Sequence, residues 1–140
     1  MSQTDLDPRK LERARKAFSS VAYAKFLGLE MGEVGDGTAS IHLEVRDELL
    51  QIHAVVHGGA IASLIDTASA FALLTRIELD ERVTTTDLTI HYLRPISSGR
   101  MTATANIVRG GRRLFVLSID VRDESDKLLA TALTTYIKIS

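Results

Sequence analysis

Asp66 is the only charged residue between His57 and Arg76. Small and apolar residues surround it, from Gly58-Gly59-Ala60-Ile61 on one side to Ala70-Phe71-Ala72-Leu73-Leu74 on the other. A lone carboxylate among such neighbours is costly to take out of water unless something compensates it, and burial makes it a better base. Eight residues earlier, Gly58 and Gly59 leave backbone N–H groups unshielded by side chains. At the start of a helix those groups sit at the positive end of its dipole and can hold a developing oxyanion. Donor and base lie about two turns apart, so one helix offers both parts of an acyl-transfer site. The plainer alternative is that Asp66 pairs with an arginine from another strand and only holds packing.

The element carrying these residues is legible from periodicity. Apolar side chains at 61, 64, 65, 68, 71, 72 and 74 recur at helical spacing. They leave no polar stripe, so the helix is expected to be surrounded by protein. An acid and several Ser and Thr residues argue against a membrane span. The other reactive side chains nearby read as structural. His57 is expected to orient the loop and the helix start rather than act as a base. His53 and His57 are four residues apart, but no third ligand accompanies them, so no metal site is expected. Ser63 and Ser69 lack a nucleophile elbow and read as helix packing. Gly110-Gly111 has no strand–loop–helix context and is not a phosphate loop.

Composition narrows the classes. A chain of 140 residues with 45% apolar content suits one domain with a real core. A net charge of −1 offers no bulk basic field for nucleic acid. The absence of cysteine excludes disulfides, thiolate metal sites and a thiol nucleophile. Residues 1–16 mix acids with bases, unlike a secretory signal, and the acids at 5, 7 and 12 are unlike a transit peptide. The expectation is a cytoplasmic protein without a membrane segment.

In chain order, Asp7-Pro8 is a helix start, with Leu11, Ala14, Arg15 and Phe18 at helical spacing. A second short helix is expected from about Val21 to Leu27, ending at Gly28. Residues 1–28 read as an N-terminal helical cover belonging to the same domain as 29–140. A strand from Leu29 to Val34 and the Gly35-Asp36-Gly37 turn lead to Thr38–Val45, where apolar and polar residues alternate strictly. After the helix, Val83–Arg94 reads as a long strand with Leu88, Ile90 and Tyr92 on one face. Met101, Ala103, Ala105 and Ile107 alternate in the next strand, and Arg109-Gly110-Gly111-Arg112 in a hairpin turn. Phe115, Leu117, Ile119 and Val121 alternate again, and Leu133, Thr135, Ile137 and Ile139 close the chain. The fold class is α+β: a long antiparallel sheet wrapped around one central helix, with short N-terminal helices. Strands of about 11 residues span about 36 Å, enough for a helix of about 19 residues, or about 28 Å. One sheet covers only part of a helix that is apolar all round, so a second subunit is expected to cover the rest.

His57-Gly58-Gly59 followed by Asp66, and then Thr85-Thr86-Asp87-Leu88-Thr89-Ile90-His91-Tyr92-Leu93-Arg94-Pro95, resembles the hotdog-fold acyl-CoA thioesterases, in particular the PaaI-like and 4-hydroxybenzoyl-CoA thioesterase group. The resemblance covers roughly residues 29–139. It implies that Asp66 is the nucleophile or the general base on water and that the Gly58 N–H polarises the thioester carbonyl. It implies that a side-chain amide, Gln51 here where many relatives have Asn, orients the carboxylate or the water. It also implies that Thr85, or Thr86 one step away, reaches the water from the neighbouring subunit. CoA is expected near Gly59 and basic residues at a subunit interface, for which Arg94, Arg109, Arg112 and Arg113 are the local choices. The arginines of the turn could equally serve solubility alone. The acyl-CoA thioester is substrate, and no cofactor is implied. A homodimer is expected, and a dimer of dimers by resemblance. An acyl-CoA hydratase and a non-catalytic acyl-CoA binder are the alternative functions. The first lacks its expected His–acid motif here, and the second lacks a reader domain.

Overall fold

The computed structural model describes residues 6–139. Residues 1–5 of the expected N-terminal helical cover lie outside the described residues. Helix α1 (Pro8–Ser20) opens where Asp7 caps it, its side chain accepting from the Arg9 N–H at 2.9 Å with Pro8 in the first turn. Helix α2 (Ala22–Leu27) ends at Gly28, whose φ of +82° is the left-handed conformation that stops a helix at little cost. Strands β1 (Glu30–Gly35) and β2 (Thr38–Glu44) form the first hairpin. A loop containing one 3-10 turn leads to the central helix α3 (Gly58–Leu74). Four strands follow: β3 (Val83–Tyr92), β4 (Arg100–Gly110), β5 (Leu114–Arg122) and β6 (Leu128–Lys138).

The six strands form one antiparallel sheet in the order β1-β2-β4-β5-β6-β3, leaving β1 and β3 as edges. Helix α3 packs on one face of it. Ile41, Leu43, Met101, Leu117, Ile119 and Val121 of the sheet are buried together with Leu64, Ile65, Ala68 and Leu73 of the helix. The helix-facing alanines of the sheet, 39, 103, 105, 130 and 132, leave room for the helix to lie close. This is the hotdog arrangement that the motifs imply.

Helix α1 covers the C-terminal half of α3. Phe18 meets Phe71 edge-on at 5.3 Å between ring centroids. The last carbonyls of α3 receive cations from α1: Lys10 Nζ donates to Thr75 O at 3.2 Å, and Arg13 donates to Leu74 O and Ile77 O. Charge of that sign suits the negative end of the helix dipole. A stripe of α3 remains only half-buried, namely Ala62, Ser63, Asp66, Thr67, Ala70 and Leu74. The expected full enclosure of the helix is therefore not supplied by this chain alone.

Two registers differ from the sequence expectation. The β4–β5 turn falls at Gly111–Arg113, because β4 carries an irregularity between Ile107 and Arg109 and continues to Gly110, which pairs with Phe115. In β6 the inward residues are Ala130, Ala132, Thr134 and Tyr136, while Leu133, 55% exposed, and Ile139 point away. Apolar alternation favours the wrong set because the inward positions hold two alanines and two hydroxyl-bearing residues whose polar ends have partners. Thr134 Oγ1 donates to Asp87 O at 2.7 Å, and Tyr136 bonds to Asp66.

Candidate active site

Helix α3 begins with a cap that sorts its two glycines. His57 is the N-cap residue, and its Nδ1 accepts from the Gly59 N–H at 2.7 Å. Nδ1 must be unprotonated to accept, so the proton of the neutral ring sits on Nε2. The Gly59 amide is thereby used up. The Gly58 amide donates to nothing among the described residues. Tyr92, the last residue of β3, braces this end: its hydroxyl donates to Gly58 O at 2.9 Å. A Cβ on Gly58 would stand 3.2 Å from the Tyr92 ring, so glycine is what lets the ring approach.

Asp66 lies two turns further along, on the half-buried stripe. It forms no ion pair among the described residues. Its Oδ1 accepts from Thr85 Oγ1 at 2.9 Å and from the Tyr136 hydroxyl at 2.7 Å. Oδ2 has no partner among the described residues. The arginine pairing weighed as the plainer alternative is absent here. Burial pushes the Tyr136 phenol well above its ordinary range, and the Asp66 carboxylate pushes it the same way against an opposing hydrogen bond with Thr85. Tyr136 therefore stays protonated and donates.

A bulge decides which threonine reaches the carboxylate. Thr85 pairs with Tyr136 and Asp87 with Thr135, leaving Thr86 as the extra residue. The bulge resets the alternation, so Thr85 faces the helix along with Leu88 and Ile90. Thr86 points elsewhere and bonds Thr135 O at 3.0 Å. Thr85 thus contacts Asp66 of its own chain; the resemblance implied that it reaches the water from the neighbouring subunit.

The other expected residues are divided between two places. Gln51 does not contact Asp66 in this chain; its side-chain oxygen accepts from the His53 N–H and stabilises the loop before α3. Arg94 lines a pocket of about 330 Å³ beside Gly58, with Val55, Ile61, Tyr92 and Pro95. Arg109, Arg112 and Arg113 lie at the opposite end of the sheet, past Phe115, which pairs with Tyr136. Gly58 and Asp66 are also apart: eight residues at 1.5 Å each is about 12 Å. One thioester carbonyl cannot touch both groups of a single helix, so the reading of one helix as a complete site is corrected. Sequence reasoning assigned no role to Tyr92 or Tyr136. The available signal was that an aromatic hydroxyl on an inward strand position needs a partner.

No group of three or more metal-ligating side chains occurs among the described residues. No described helix is long and apolar enough to cross a membrane. A hollow of about 650 Å³ lies on the outer face of the sheet between Arg100, Asn106, Asp120 and Arg122, and holds none of the expected residues.

Comparison with known proteins adds the following. The family described as thioesterase superfamily matches residues 53–130. The medium/long-chain acyl-CoA thioesterase YigI of Salmonella typhimurium is 32% identical over 141 residues, covering 91% of this chain and 79% of that protein. The 1,4-dihydroxy-2-naphthoyl-CoA hydrolase of Listeria monocytogenes is 31% identical over 109 residues, covering 78% of this chain and 89% of that protein. The structure of the Escherichia coli PaaI protein from the phenylacetic acid degradation operon superposes with a TM-score of 0.89 at 27% identity, covering 96% of each chain.

Proposed function

From the premise that this chain belongs to the thioesterase superfamily and is a thioester hydrolase, we propose that it cleaves an acyl-CoA to the free acid and CoA, with Asp66 acting against the carbonyl carbon and the Gly58 N–H receiving the oxyanion. The observation that carries this reading is the state of Asp66: a half-buried carboxylate with no counter-ion among the described residues, one oxygen tied by two neutral hydroxyls and the other free. A free carboxylate oxygen either attacks the carbonyl carbon or removes a proton from attacking water. In both routes the C–S bond breaks, oxygen replaces sulfur on carbon, and the thiolate takes up a proton. A thiolate leaves readily, so no strong acid is required. Incorporation of ¹⁸O into the Asp66 side chain under single turnover distinguishes direct attack from proton removal.

The 12 Å separation within one chain is resolved if two copies build each site together. Strand β3 is an edge, long and carrying one charged residue, Asp87. Edges of that kind favour pairing with a second copy. Pairing two β3 strands antiparallel would run two α3 helices past each other with their half-buried stripes facing. Gly58, Gln51 and Arg94 of one copy would then stand against Asp66 and Thr85 of the other, with the Arg109–Arg113 hairpin near the Asp66 end. The thioester would lie across the seam and its CoA phosphates near the arginines. The assembly read here is a homodimer with two equivalent sites.

The named relatives act on different acyl groups, one on medium to long chains and one on a naphthoyl group. The direct test is thiol release from a panel of alkyl and aryl CoA thioesters, with Asp66→Asn as control. Loss of turnover by 10²-fold or more in a folded Asp66→Asn protein is expected. Binding without thiol release would end the hydrolase reading, and a hydrated product would indicate a different reaction.

A further inference from the structure

The geometry points to Tyr136 as a positioning residue that sets the orientation of the Asp66 carboxylate in the hydrolysis proposed above, an inference that rests on that reading. Tyr136 is 3% exposed, and its hydroxyl reaches two oxygens of one residue: Asp66 Oδ1 at 2.7 Å and Asp66 O at 3.0 Å. A buried phenol needs a partner, and the main-chain carbonyl alone would supply one. The contact with Oδ1 goes further, because it couples the side chain of Asp66 to its own backbone and limits rotation about χ1. Thr85 Oγ1 meets the same Oδ1 from the adjoining strand. The two donors belong to one rung of the sheet, on which Phe115, Tyr136 and Thr85 stand side by side facing α3. With Oδ1 held on both sides, Oδ2 is the oxygen left without a partner among the described residues.

No charged side chain pairs with Asp66 among the described residues. The hydroxyls of Tyr136 and Thr85 are therefore the groups that hold it within the chain.

The test is Tyr136→Phe, which removes one oxygen and keeps the ring. The expected result is a fall in kcat of about tenfold, the scale of one hydrogen bond to a charged group. KM should stay within about twofold. A second variant guards against loss of folding: 3-fluorotyrosine placed at position 136 keeps the ring and the donating hydroxyl. It should hold kcat within a few-fold of wild type, so that the loss in Tyr136→Phe follows the missing hydroxyl. A double-mutant cycle of Tyr136→Phe with Asp66→Ala, read by denaturant unfolding, should show coupling between the two side chains. A folded Tyr136→Phe protein with unchanged kcat would overturn the positioning role, as would absence of coupling. A wild-type protein that releases no thiol from any CoA ester would instead remove the hydrolase reading, and this inference with it.

Discussion

Tyr92 donates its phenolic proton to Gly58 O across 2.9 Å, so the last residue of the edge strand holds the first residue of the central helix. The same ring packs over the Gly58 Cα, where a Cβ would stand 3.2 Å from it. The contact fixes where the unused Gly58 N–H points. It also ties that amide to β3, the strand on which pairing with a second copy would occur.

The Gly58 amide can be removed on its own. Proline is tolerated at the first position of a helix, where its missing N–H has no helical acceptor. His57, with ψ of 134°, already has the extended backbone that a following proline requires. Gly58→Pro should therefore fold while losing kcat by about 10²- to 10³-fold, as when an oxyanion donor is deleted. Gly58→Ala is the control, since it adds the same Cβ against Tyr92 but keeps the N–H. Equal activity in the two variants would show that the amide plays no part.

His57 caps α3 through its Nδ1. His57→Ala should lower stability by about 1 kcal/mol, the usual scale for a lost N-cap. His57→Asn, a good capping residue, should restore most of that loss in thermal unfolding. Turnover by the Asn variant should stay within a few-fold of wild type. A loss of 10²-fold or more in a well-folded His57→Asn protein would give the imidazole a proton-transfer role.

Sites shared between two copies predict complementation. Asp66→Asn and Gly58→Pro chains should each be nearly inactive alone. When they are unfolded together and refolded as a mixture, heterodimers would contain one site with both native groups, and activity should return to a substantial fraction of wild type. A mixture no more active than its components would show that Gly58 of one copy and Asp66 of another do not share a site.

His42 sets a pH dependence of stability. Burial lowers its pKa below the ordinary 6.5, helped by the nearby Arg100 charge and opposed by Glu30 and Glu44. Its Nδ1 lies 2.7 Å from Thr102 Oγ1, and its ring fills the space that a Cβ on Gly32 would need. The unfolded chain thus binds a proton at this site at a pH where the folded chain does not. The contribution of His42 is complete above about pH 6.5 and is lost as pH falls through the lowered folded-state value. His42→Gln should flatten part of the decline in Tm below that pH. Parallel Tm–pH curves for the two proteins would refute this.

The sequence by itself determined what local interactions control. Asp7-Pro8 starts a helix, Gly28 ends one, and His57-Gly58-Gly59 starts another, because capping and turn geometry depend on a few adjacent residues. The 3.6-residue recurrence through α3 and the strict alternation in β2 and β5 mark which faces are buried. Asp66 stands out for the same reason, as one charge inside a periodic apolar run.

Only the tertiary structure decided matters that depend on pairing between distant strands. One extra residue at Thr86 turns Thr85 toward Asp66, and nothing local to the Thr84-Thr85-Thr86 run selects among the three. The parity of β6 is likewise set by its neighbours, bringing Tyr136 beneath Asp66 although Leu133 and Ile137 form the more apolar set. Arg94 and the Arg109–Arg113 hairpin fall at opposite ends of the sheet because β4 and β5 run the full length between them. A strand's register is an energy shared by the whole sheet, and a shift of one residue exchanges its two faces, so the site's second set of contacts exists only once the sheet has closed around the helix.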